Sequence, residues 1–99
     1  MVQRKSPRRE RLQLELGENI RRWRRVNGMS ASQLAERATV TRATLKSIES
    51  GAGSARLDSF VAVLAALGVA DTLVQATDPF QSDAARARID DILRQGGTL

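Results

Sequence analysis

The chain has no cysteine, no histidine and no tyrosine, and its only aromatic residues are Trp23, Phe60 and Phe80. Lack of cysteine excludes a disulfide framework and thiolate metal sites. Lack of histidine removes the commonest zinc ligand and the commonest acid–base group of neutral pH. Both absences argue against an enzyme, and neither a metal nor a cofactor is expected. Only two prolines interrupt the 99 residues, which favours helices. No apolar run approaches the roughly 20 residues that span a bilayer. The charged N-terminus is not followed by the apolar segment of a secretory leader, so a cytoplasmic protein without a membrane partner is expected.

What is present is mostly Leu, Ala, Val and Ile within a 41% hydrophobic composition, a set suited to a helical core. The length suits one domain, small enough that burial against a second copy would help it. Net charge is +5 and unevenly placed: residues 1–46 hold 12 Lys/Arg against 4 Asp/Glu, whereas residues 47–99 hold 4 against 7. A basic front half suits a polyanionic partner, although a solvated basic face has the same composition.

Residues 1–11 lack an apolar period and read as a flexible basic arm that touches phosphates, with Arg8 and Arg9 alternatively entering a minor groove. Leu12, Leu16, Ile20 and Trp23 then define one face of a first helix, with Arg21, Arg22 and Arg25 on the other, and Asn27-Gly28 ends it. Ser30 and Gln33 have the spacing of a capping box, opening a second helix with Leu34, Ala35 and Ala38 inward. Thr41 can cap a third helix running to about Ser50, with Leu45 and Ile48 inward. Leu57, Phe60, Val61, Leu64 and Leu67 predict a fourth helix. Asp71 is a candidate cap for a short fifth through Leu73, Val74 and Ala76. Ser82 to about Gln95 is a sixth, with Ala85, Ile89, Ile92 and Leu93 on one face.

Two short helices joined by a tight turn and framed by a longer one are what a helix-turn-helix requires. The third helix begins with short residues and donors: Thr41, Arg42, Ala43, Thr44, Lys46 and Ser47. Arg42 could grip guanine O6 and N7, and Ala43 or Thr44 could touch a thymine methyl. Taken alone, the same polar face could simply keep an exposed helix in solution.

The segments Leu16–Ser30, Gln33–Ala38, Thr41–Gly51 and Leu57–Val69, in this register, resemble the Xre/Cro-type helix-turn-helix family. The resemblance covers about residues 12–77 and implies an all-α, five-helix lambda-repressor-like domain, followed here by a C-terminal helix and tail at 78–99, expected to make a dimer or partner contact. It implies a dimeric, sequence-specific regulator of transcription, most simply a repressor, on double-stranded operator DNA. Base contacts are implied for Arg42, Ala43 and Ser47, with Thr44 and Lys46 nearby. Backbone contacts are implied for Ser30, Ser32 and Gln33 and for the loop around Gly53 and Ser54, with Thr41 at the helix start. The resemblance also implies a structural ion pair between Arg24 and Glu49, although Arg24 could instead serve as a phosphate contact. Three positions depart from the family. Thr39 stands where the turn usually has glycine, so the turn either holds a β-branched residue at positive φ or takes another shape. Ala31 replaces a frequent phosphate-binding glutamine. Ala55-Arg56 replaces a proline and a hydroxyl cap, and Arg56 could reach a phosphate.

The tail from Leu67 to Phe80, with Asp83 and Arg86-Ala87-Arg88, resembles a HipB-like antitoxin subgroup, implying repression of its own operon and a HipA-like kinase toxin as partner. A stand-alone regulator, or a protein-interaction module that does not bind DNA, fits the same helices.

Overall fold

A computed structural model of the chain describes residues 6–99. Among these the fold is all-helical, in the order α1 Pro7–Val26, α2 Ala31–Ala38, α3 Arg42–Ser50, α4 Leu57–Leu67, α5 Ala70–Ala76, a 3-10 turn Pro79–Gln81 and α6 Asp83–Arg94. One apolar cluster from α1 to α4 forms the core: Ile20, Met29, Leu34, Ala35, Ala38, Leu45, Ile48, Val63, Leu64 and Leu67. No single described helix is long and apolar enough to cross a membrane.

Local chemistry sets the boundaries of the two central helices. Ser30 Oγ accepts from the Gln33 N–H at 3.1 Å while Gln33 Oε1 accepts from the Ser30 N–H at 2.8 Å, the reciprocal capping box. Thr41 Oγ1 accepts from the Thr44 N–H at 3.0 Å and starts α3. At the other end of α2, Thr39 takes the left-handed conformation (φ 56°, ψ 45°), which lets the Val40 N–H return to Ala35 O at 3.0 Å. A β-branched residue there costs about 1–2 kcal/mol of backbone strain. The turn therefore keeps the shape a glycine would give it and bears the cost.

Several expectations need correction. Residues 1–5 of the predicted arm lie outside the described residues, but residues 7–11 are helical and belong to α1. Pro7 at the helix start, Glu10 in the first turn, and the Arg, Leu and Gln that follow are all favourable there. Helix thus propagates ahead of the first buried side chain. Along the apolar stripe of α1 only Ile20 is buried; Leu12, Leu16 and Trp23 stay 43%, 48% and 45% exposed, because among the described residues α4 and α5 border that side without covering it. In α4 the inward face is centred on Val63, Leu64 and Leu67, while Leu57 and Val61 face outward. Asp71 does not cap α5; Val69 occupies that position without a side-chain hydrogen bond. In α6, Ser82 Oγ does accept from the Ala85 N–H at 3.2 Å, yet Ile89 alone of the apolar face is buried.

The radius of gyration, 17.1 Å, exceeds the about 13 Å of a compact chain of this length. The excess has a visible source: α6 packs on the 3-10 turn, and none of its residues joins the core cluster.

Candidate nucleic-acid interface

The outward face of α3 is built by subtraction. Leu45 and Ile48 enter the core, so the helix period turns Arg42, Ala43, Lys46 and Ser50 to solvent, with Thr44 and Ser47 half-covered at its edges. No other element of the described chain lies over this face. A short residue at 43 leaves room for close approach, and the flanking Arg42 and Lys46 supply positive charge and donors.

Two hydrogen bonds join this face to its neighbours. Arg42 Nη1 donates to Ser32 Oγ at 2.6 Å, linking the start of α3 to the first turn of α2. The hydroxyls of Ser47 and Ser54 lie 2.9 Å apart, linking α3 to the loop before α4. Ser30 and Gln33 occupy each other in the capping box, and the Gln33 amide nitrogen is left as an outward donor. Thr41 combines its capping role with a 2.9 Å hydroxyl contact to Thr44. Arg56 sits at the N-cap of α4 without capping it and pairs with Asp58 at 2.9 Å. Both partners are exposed, so this pair is weak and leaves Arg56 able to exchange Asp58 for another anion.

The face is held from behind. Arg24 Nε and Nη2 donate to Glu49 Oε2 and Oε1 at 2.8 and 2.9 Å, and Nη1 donates to Met29 O at 3.2 Å. The two side chains are only 16% and 12% exposed. The hydrogen bond to Glu49 raises the Arg24 pKa, burial opposes this, and the Glu49 charge adds to the rise. A guanidinium shifted upward keeps its charge at every ordinary pH. The bridge ties the last turn of α3 to α1 and to the turn between α1 and α2.

The sequence reading missed a second part of this support. A Cβ added to Gly17 would lie 2.5 Å from Glu49 O and 2.7 Å from Ile48 O. Glycine at 17 thus lets α1 press directly on the end of α3. Gly51 ends α3 at φ 71°, where a Cβ would lie 2.8 Å from both Gln13 O and Leu14 Cα. The signal was present as a lone glycine inside a helical period, which costs about 1 kcal/mol and needs a packing reason. Asn27 was also missed in this role; its Nδ2 donates to Leu67 O at 3.2 Å and pins the end of α1 to α4.

No curated protein matches the chain, and no solved structure does. A family profile described as a helix-turn-helix domain matches residues 15–77, a span that begins within α1 and ends just after α5. Such a domain points to a DNA-binding regulator. With roughly two thirds of its length matched, and with α2, the Thr39 turn and α3 arranged as above, the chain belongs to the helix-turn-helix domain family.

Proposed function

We propose that the chain is a sequence-specific transcriptional repressor that inserts the N-terminal half of α3 into the major groove. The observation that carries this reading is the outward face of α3, uncovered by the described residues yet fixed from behind by the Arg24–Glu49 bridge. Arg42, Ala43, Thr44, Lys46 and Ser47 are the proposed base contacts. Ser30, Ser32, Gln33, Thr41, Ser54 and Arg56 are the proposed phosphate contacts. Selection of duplexes from a random library tests it. The wild type enriches one site, and Arg42→Ala costs about 1–3 kcal/mol on that site and relaxes preference at one position. Enrichment of the same site with equal affinity by both proteins would remove Arg42 as a reader. A wild type that enriches nothing would leave a protein-interaction module.

One such domain reads few base pairs, so the repressor is proposed to act as a homodimer on two half-sites about 34 Å apart. A groove of about 250 Å³ between α1, α4 and α5, lined by Leu16, Trp23, Phe60, Leu73 and Ala76 among others, is the proposed dimer face. A second copy seated there would cover the exposed sides of Leu16 and Trp23. Residues 78–99 are then proposed as a separate partner segment. Phe80, Ile92 and Leu93 are exposed on a helix standing off the core, which favours the second reading, an antitoxin whose tail binds a HipA-like kinase. Ile89, on the same face of that helix, is buried within its own chain and is not available to a partner.

A further inference from the structure

Helix α1 begins at Pro7, whereas the family match begins at residue 15, so its first two turns are an addition to the matched domain. The addition carries Arg8, Arg9 and Arg11, all exposed. Among the described residues none of the three is ion-paired. Being helical, they do not act as one patch. Arg9 stands one turn before Gln13 on the same face, about 6 Å along the axis. Arg8 and Arg11, three apart, share a different side of the helix, about 100° and about 160° round the axis from Arg9.

Gln13, on the same face as Arg9, seats α1 on the loop after α3, while Glu10 lies on the adjoining flank with Leu14 and Gly17 toward the end of α3. Gln13 and Leu14 lie against Gly51, and the Gln13 side chain lies against Gly53, where an added Cβ would come within 2.9 Å of its Oε1. Gly53 adjoins Ser54, whose hydroxyl touches Ser47 on α3. The helix that carries Arg9 is therefore seated on the same loop that flanks the proposed reading face. A guanidinium one turn beyond that seat extends the line from α3 through the loop.

We infer that Arg9 is a phosphate contact, held by a rigid extension of α1 at the DNA backbone next to the one contacted by Ser54, while Arg8 and Arg11 point away from that strand. This rests on the DNA-binding reading above. It replaces a diffuse basic arm with one positioned charge. The contact is to the backbone, so it adds affinity without reading sequence.

The test compares full-length wild type, Arg9→Ala, Arg9→Lys and the double variant Arg8→Ala/Arg11→Ala on a duplex the wild type has selected from a random library. A second duplex with scrambled bases serves as the nonspecific probe. Arg9→Ala is expected to bind both duplexes roughly three- to tenfold more weakly and to lower the slope of log affinity against log salt by about one. Arg9→Lys restores the slope, and the double variant stays close to wild type. Equal slopes for wild type and Arg9→Ala would overturn the inference. So would a double variant as weak as Arg9→Ala, which would mean undirected charge, or a loss confined to the selected duplex, which would mean base contact. If wild type binds and Arg42→Ala does not, while Arg9→Ala is unchanged, only this inference falls. If wild type itself binds neither duplex, the DNA-binding reading falls with it.

Discussion

At the junction of α1 and α3, backbone lies against backbone at Gly17 and Gly51, and a doubly bonded ion pair crosses from Arg24 to Glu49. In α6, Ile89 is the one buried residue among 12, and the neighbour is a three-residue turn. The first region has no slack in it. The second displays the apolar side chains that a partner would need. The contrast is between a polar face held at a fixed angle and an apolar face that the described residues leave uncovered.

Three substitutions or cuts press on this contrast, from the largest expected effect to the smallest. Glu49→Ala strands a largely buried guanidinium and should cost about 2–4 kcal/mol of unfolding free energy, read from urea melts. A cost under half a kilocalorie, roughly what an exposed pair yields, would mean the bridge does not support α3. Gly17→Ala is the sharper test because the two accounts differ in sign. On a free helix it would stabilise by about 1 kcal/mol. Against the carbonyls of Ile48 and Glu49 it should destabilise by about 1–3 kcal/mol, with a matching loss of DNA affinity as α3 shifts. Ending the chain at Thr77 should change stability by less than about 1 kcal/mol, since α6 contributes nothing to the core cluster. Sedimentation of the shortened chain then sharpens the assignment of α6. A retained dimer frees the tail for another partner. A monomer would make α6 the dimer contact and take away the structural support for the antitoxin reading.

How far the sequence could be read differs between these regions for physical reasons. The caps at Ser30, Gln33 and Thr41 and the inward set Leu34, Ala35, Ala38, Leu45 and Ile48 depend on contacts a few residues apart, and they were legible as periods and hydrogen-bonding side chains. Val63 was legible too: Phe60, Val63, Leu64 and Leu67 keep helical spacing, and choosing Val61 instead rotated the helix. The exposure of Leu12, Leu16 and Trp23 was not legible, because period says which face is apolar but not whether anything covers it. The start of α1 was misplaced for a related reason: Arg and Glu extend a helix by propensity, with no apolar side chain to announce it. The Arg24–Glu49 pairing spans 25 positions and came from family resemblance alone. The close approach at Gly17 had a local sign, a glycine within a helix, but its partner could be known only from the fold.

The central claim, that α3 enters the major groove with Arg42 at a guanine, is tested most directly by methylation interference on a selected duplex. Dimethyl sulfate marks guanine N7 in the major groove and adenine N3 in the minor groove. The account predicts that N7 methylation blocks wild-type binding at guanines in two half-sites related by a twofold axis and about one helical turn apart, and that Arg42→Ala loses this sensitivity at one guanine per half-site. Interference confined to adenine N3, or none at any guanine, would contradict it.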